Sequence, residues 1–347
     1  MILVGEIGAD KCHLALYESG QDFSSPKYKL SEIRSEKYGS LGALINNFLK
    51  QAKVEESVFT ACFGMAGFVD EEQRCQLSNS NWSLITADDL QSQLLSKAAV
   101  TLLNDVKAIG VGISRLTEND ITDINFENPS PKEGSRALIY APGPGLGAGN
   151  LYSDYGDYRP LPSELGHAGF ASTSEEVDEL VKFLRKKYSC SRVTIEQVVS
   201  WSGLTGVYQF IKNSRRAKES SDIKRQLSNK DDEGAARIII EAALANQDVL
   251  CEKALKLFLS NFGAVVGDIA IYLLTENGVY ISGELASATL AQKPEYDAVF
   301  MEGFTAKEEK GGDQKWCEHN ANIPINIIKR RDMVLLGAYT QAQPIIQ

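Results

Sequence analysis

The sequence predicts an α/β protein of about two domains. Three observations carry that expectation. The chain has 347 residues, against roughly 150 for a typical domain. Strand-like apolar runs alternate with helix-like amphipathic ones. A strand, a glycine turn and a second strand occur in that order twice, once in each half.

Composition narrows the class further. The chain is 43% hydrophobic and 24% charged, close to ordinary soluble proteins. No apolar run approaches the roughly 20 residues that span a bilayer. With 36 Lys and Arg against 46 Asp and Glu, the net charge of −10 argues against nucleic acid as a partner. The six cysteines include no CxxC pair, which points to a reducing compartment. The N-terminus reads as strand, turn and strand rather than as a leader, so a cytoplasmic protein without a membrane partner is expected.

Taken in order, residues 3–6 form a short strand entering a turn at Gly8, and residues 12–17 resume as its partner. Residues 40–52 place Leu41, Leu44, Ile45 and Leu49 at helical intervals, and 58–65 and 100–103 read as buried strands. Residues 117–134, rich in Asn, Asp, Pro and Glu, read as a linker. The second hairpin then follows: residues 137–140, the turn Gly143-Pro144-Gly145-Leu146-Gly147, and residues 150–152. Residues 175–188 form a charged amphipathic helix, 195–200 open another, and 215–232 form a solvated polar stretch. Residues 236–274 read as one long apolar helical run, with Gly263 and Gly267 assigned to ordinary core packing. A strand at 278–282 ends at Gly283, and a helix over 333–341 closes the pattern.

Three places carry candidate chemistry. The two glycine turns expose successive backbone N–H groups that can cradle phosphate, although a glycine turn alone is more often structural, and neither matches a P-loop. Asp105 follows a strand, where a carboxylate serves either as a base toward a hydroxyl or as a helix N-cap. Glu164 and His167 sit three apart with no further His or Cys nearby to complete a zinc site, which favours hydrogen bonding to a polar ligand.

Seven segments, in order and with matching spacing, resemble the bacterial-type glucokinases of the actin-like ATPase superfamily over nearly the whole chain. They are LVGEIGADKCHLAL, LSNSNW, LLNDVKAIGVGI, IYAPGPGLGAGNL, LPSELGHAGFASTSEE, TIEQVVSWSGLTGVY and GVYISGEL. The resemblance implies an α/β fold of two ribonuclease-H-like domains with mixed sheets flanking an interdomain cleft. The smaller would comprise residues 1–110 and 330–347, and the larger 111–329. It also implies transfer of the ATP γ-phosphoryl group to the 6-hydroxyl of glucose, and by analogy a homodimer. Asp105 would take the hydroxyl proton, while Asn79, Asn104, Glu164, His167 and Glu196 would hold the sugar. Glu6, Gly8, Lys11, Gly143, Gly145, Gly147 and Gly283 would face the nucleotide. Mg2+ would have no direct protein ligand, with Glu6 reaching it through water.

The nucleotide side departs from the family pattern. Glu6 stands for an Asp, Ala9-Asp10-Lys11 for Gly-Thr-Asn, Pro144 for a Thr, Trp201 for a Gly and Glu284 for the second of a glycine pair. Asp10 would repel phosphate, an effect that Lys11 would offset. Pro144 removes a hydroxyl and an N–H donor, and a side chain at Trp201 or Glu284 would crowd the nucleoside. Three readings follow: an ATP-dependent hexose kinase, a non-catalytic sugar-binding protein, and a kinase using another donor such as ADP or polyphosphate. The first is favoured, with a raised nucleotide KM, because backbone N–H groups still hold phosphates and Glu6 still organises a metal.

Overall fold

The computed structural model describes residues 1–53, 58–77, 80–93, 95, 98–125, 134–154, 157–308 and 314–343. The chain divides into two compact units, one of Met1–Leu116, Tyr158–Pro162 and Asp332–Gln347, the other of Thr117–Asp157 and Ser163–Arg331. Each is built around its own apolar core.

The first unit opens with an antiparallel hairpin, β1 (Ile2–Ile7) and β2 (Lys11–Tyr17). Apart from half-buried Glu6, β1 is buried along its length, which is why it reads as an unbroken apolar run. Its sheet is completed by β3 (Tyr28–Arg34), β4 (Thr60–Met65) and, beyond a short ladder of β5 (Arg74–Cys75) with β6 (Ile85–Thr86), by β7 (Ala99–Asn104). The order is β3-β2-β1-β4-β7. Strands β1, β4 and β7 run parallel, with Ile7, Met65 and Asn104 aligned across them. The residues that follow, Gly8, Ala66 and Asp105, are thereby delivered to one edge of the sheet, where open α/β sheets bind ligands.

Helix α1 (Leu41–Gln51) starts because the Ser40 hydroxyl accepts the Ala43 N–H at 3.1 Å, and it buries Leu41, Leu44, Ile45 and Phe48. α2 (Ala87–Gln93) and α3 (Asp105–Gly112) follow. The C-terminal helix, Met333–Ala342, packs on α3, β1 and β4. It can approach α3 because Gly337 faces the Ala108 carbonyl, into which any Cβ would collide.

In the second unit the hairpin recurs as β9 (Gly134–Tyr140) and β10 (Gly147–Asp154), and β12 (Val279–Ser282) lies parallel to β9 as β4 does to β1. β11 (Asp157–Ser163) belongs mostly to the first unit's Tyr158–Pro162 segment; with β8 (Ile121–Asp123) and β13 (Ile325–Ile328) the order of the second unit's strands is β10-β9-β12-β13-β8. The stretch expected to be a linker is therefore partly structural. Glu118–Asp120 forms a 3-10 turn, β8 pairs with β13, and the Asn125 side chain bonds the backbone of Ile323 and Ile325. Residues 126–133 of that stretch lie outside the described residues.

The helices of this unit are α4 (Glu175–Tyr188), α5 (Trp201–Asn213), α6 (Ser221–Leu227), α7 (Asp232–Leu244), α8 (Val249–Tyr272), α9 (Glu284–Thr289), α10 (Pro294–Thr305) and α11 (Lys315–Ala321). Two sequence expectations need correction. Residues 195–200 do not open a helix, because Ser200 is the N-cap of α5, its hydroxyl accepting the Gly203 N–H at 3.0 Å. The run 236–274 is two helices, because Asn246 takes a left-handed φ of 54° and Asp248 caps α8 through the N–H groups of Leu250 and Cys251.

α8 is long and apolar enough by composition to cross a bilayer, contrary to the sequence reading, yet most of that window is buried inside the unit. Its Gly263 and Gly267, expected from the sequence to serve ordinary core packing, lie against the Phe300 and Phe304 carbonyls of α10, so the small-residue spacing marks a close helix crossing instead. The same logic yields a test in the first unit. Gly337→Val is expected to destabilise it by about 1–3 kcal/mol through overpacking against Ala108, read as a lower urea midpoint.

Candidate active site

At the edge of the first sheet, the Gly8 N–H donates to the Lys11 carbonyl at 3.1 Å and closes the turn between β1 and β2. Ser35 holds this turn from the side, its hydroxyl donating to the Ala9 carbonyl and its N–H to that of Asp10 at 3.0 Å. Lys11 Nζ lies 4.0 Å from the Glu32 carboxylate, so its charge is shared with β3 rather than held for Asp10 alone. Glu6 sits half-buried near the end of β1, opposite His13.

The strand-to-helix junction resolves an alternative left open by the sequence. Asn104 is the N-cap of α3, its Oδ1 accepting the Lys107 N–H at 3.2 Å while its Nδ2 donates to the Gly67 carbonyl at 3.1 Å. Asp105 is the first helical residue, half-buried, with Oδ1 accepting the Val106 N–H at 2.8 Å. The cap duty falls to Asn104, and it leaves that side chain one donor and one acceptor site by valence. Asn79 lies outside the described residues.

In the second unit the turn between β9 and β10 is crowded. Gly143 has a φ of +128°, open to glycine and strained for other residues, and a Cβ there would collide with the Trp201 indole. A Cβ on Gly145 would lie 2.9 Å from Glu196 Oε2. Gly166 packs against the Leu146 carbonyl, and Gly283, with φ of +111°, against Ala141. Gly147 begins β10, in register with Tyr140.

Beside this turn three titratable side chains meet. The Leu165–His167 3-10 turn and the segment before α5 are stitched together, Glu196 N–H donating to the Gly166 carbonyl at 3.0 Å and Ile195 N–H to that of Ala168 at 3.0 Å. His167 is thereby held between carboxylates, with Nδ1 3.2 Å from Glu196 Oε1 and Nε2 3.7 Å from Glu164 Oε2. Burial pushes the Glu196 carboxyl above its ordinary range, and the neighbouring Glu164 adds to this, against the opposing pull of His167. Such a cluster offers a polyol several acceptors and a donor at fixed angles, adjacent to a turn of backbone N–H groups.

The residues that the sequence did not bring forward lie on the far side of the same turn. The Arg237 guanidinium sits 5.3 Å from the centroid of the Trp201 ring. It pairs with Glu233 at 3.0 Å and Glu284 at 2.7 Å, and Glu284 also pairs with Arg331 at 3.0 Å. The one visible sequence signal was the i,i+4 spacing of Glu233 and Arg237.

The two mixed sheets, each opening with a glycine-turn hairpin, give the fold of the actin-like ATPases in the form that sugar kinases use. Its solved likenesses include a glucokinase from Balamuthia mandrillaris in complex with glucose, at TM-score 0.78 and 18% identity, covering 99% of this chain and 93% of that one. A ROK family glucokinase from Streptomyces griseus, in complex with glucose and AMPPNP, aligns at TM-score 0.65 and 18% identity, covering 98% and 99%. The glucokinase family model matches residues 3–345. A Nostoc glucokinase is 33% identical over 348 residues, covering 97% of each chain. The chain belongs to the glucokinase family, and it is a hexose kinase of that type.

The environment of Glu196 gives a pH test. A carboxyl whose folded midpoint lies above its unfolded value favours the fold while protonated, and that contribution is lost as pH rises from 4.5 through the raised midpoint. Glu196→Gln is therefore expected to raise the urea midpoint relative to the parent at pH 7, and to lose that advantage below pH 4.5. Denaturation at several pH values checks it, and a parent that gained stability across that interval relative to the variant would contradict the raised midpoint.

Proposed function

We propose that this chain transfers the γ-phosphoryl group of ATP to the 6-hydroxyl of glucose, with Asp105 as general base. The observation that carries the reading is the contact of Gly145 with the Glu196 carboxylate, which joins a hydroxyl-binding cluster to a phosphate-binding turn. Family membership supports it, as do the glucose and AMPPNP held by the Balamuthia and Streptomyces proteins.

Phosphoryl transfer asks for in-line positioning and for donors toward charge spread over the phosphoryl oxygens. Glu164, His167 and Glu196 fix the sugar hydroxyls, with Asn79 and Asn104 completing the set. Backbone N–H groups at Gly143, Gly145 and Gly147 receive the phosphates, while Gly8, whose own N–H is spent on the Lys11 carbonyl, shapes the first turn toward the nucleotide, with Lys11 contributing charge and Gly283 the close packing. Mg2+ enters as MgATP, and Glu6 orders its waters, since this hard cation keeps much of its hydration shell. Asp105 accepts the hydroxyl proton as the oxygen attacks. We extend the reading to a cytoplasmic enzyme acting as a homodimer; six free thiols support the compartment, and the family resemblance supports the assembly.

The test is glucose-dependent ADP release from MgATP in a coupled assay. Asp105→Ala is expected to lower kcat by about 10²–10⁴-fold with little change in glucose KM, and a variant of undiminished rate would remove Asp105 from the reaction. His167→Ala is expected to raise the glucose KM more than it lowers kcat, as loss of ground-state hydroxyl binding does.

A further inference from the structure

The glycine turn between β9 and β10 has a direction. On one side Gly145 lies against the Glu196 carboxylate, the sugar-binding cluster of the reading above; on the other, Gly143 lies against the Trp201 indole. A donor whose terminal phosphoryl faces the hydroxyl acceptor extends its remaining length from Gly145 past Gly143. Its far end therefore arrives at Trp201.

That end of the turn is already filled. Trp201 is 4% exposed, with Gly143 against its ring and the Arg237 guanidinium 5.3 Å from its centroid. Arg237 is held by Glu233 and Glu284, and Glu284 in turn by Arg331. A nucleobase is recognised either by stacking on a bare aromatic face or by donors and acceptors not already spent. Here the ring is covered, and the guanidinia and carboxylates around it are paired with one another.

We propose that Trp201, fixed by Arg237, Glu233, Glu284 and Arg331, makes this chain indifferent to the base of its phosphoryl donor, so that nucleoside triphosphates are selected by their triphosphate alone. The inference rests on the hexose kinase reading and names the donor class for the same site. The chemistry does not depend on the base. The bond from the bridging oxygen to the terminal phosphorus breaks and one from the sugar 6-oxygen forms. The hydroxyl proton passes to Asp105, and the nucleoside diphosphate leaves with the electron pair of the broken bond.

The experiment compares MgATP, MgGTP and MgUTP, with glucose present, by calorimetric Kd and by kcat/KM. Both measures are expected to agree across the three within about tenfold, the scale of one net hydrogen bond; a wider spread in favour of ATP overturns the proposal. Arg237→Gln takes the guanidinium off the indole while Glu284 stays paired with Arg331, so the purine-to-UTP ratio is expected to rise by about tenfold as a purine stacks on the freed face. An unchanged ratio in that folded variant removes Trp201 from donor selection. Equal binding without glucose-dependent turnover overturns the kinase reading and leaves base indifference standing, whereas turnover with a wide spread in Kd does the reverse. Failure of all three to bind at millimolar concentration overturns both.

Discussion

The backbone from Ala141 to Leu146 is approached on four sides more closely than side chains would permit: by the Trp201 indole, the Glu196 carboxylate, Gly166 and Gly283. Glycines at 143 and 145 make the turn passable, and those at 166 and 283 let its neighbours close on it. The turn is thus a contact geometry that exists only where Cβ atoms are missing. Replacing any of these glycines would displace the group that sits there: the indole at 143, the Glu196 carboxylate at 145, the Leu146 carbonyl at 166 and the Ala141 carbonyl at 283. The His167 position inherits this constraint, because Glu196 is located by its N–H bond to the Gly166 carbonyl.

Legibility from sequence followed the range of the interaction. Local signals were read well: Ser40 ahead of Leu41, Leu44 and Ile45 specifies α1, and the acidic start and basic end of α4 match the helix dipole. The breaks were missed where a polar residue acts on its own neighbourhood. Asn246 and Asp248 interrupt an apolar periodicity that otherwise continues from α7 into α8, and a window average smooths over three residues. β8 was missed because it is short and earns its place by pairing with β13, some 200 residues later, a partner no local pattern contains. Within the candidate site, Asp105 was legible from its place after a strand and Glu164 with His167 from their spacing, while Asn79, Asn104 and Glu196 were legible only through the resemblance of their segments. The Arg237 network was not legible, since exposed i,i+4 pairs are common and its link to Glu284 and Trp201 is tertiary.

The two hairpins solve one problem twice with different means. In the first unit the turn after β1 is steadied by Ser35, whose hydroxyl and backbone N–H donate to the two successive loop carbonyls of Ala9 and Asp10. In the second, the Trp201 backbone N–H donates to the Gly143 carbonyl at 2.7 Å, and steric confinement by the Trp201 indole and the Glu196 carboxylate is added to that bond. A turn tethered by its carbonyls keeps them satisfied and turns its electrostatic character toward its N–H groups. A turn confined by packing gains rigidity but gives up room. Departures from the family's usual residues occur at both turns, and those around the second, Pro144, Trp201 and Glu284, are the ones that add side-chain bulk where room was given up.

The C-terminal helix is the element that covers β1, β4 and α3. Its Tyr339 donates to the Gln21 carbonyl and stacks obliquely with Tyr17, at 4.6 Å, and Phe23, at 5.4 Å. Since residues 8–332 lie between β1 and the helix that covers it, the opening sheet emerges from the ribosome long before its cover does. At about 5–20 residues per second, the interval is on the order of tens of seconds. The second unit, contiguous for most of its length, can mature in that time, while the first waits for its last helix. Vectorial synthesis thus makes the N-terminal unit the later of the two to finish, although it is the earlier to be made.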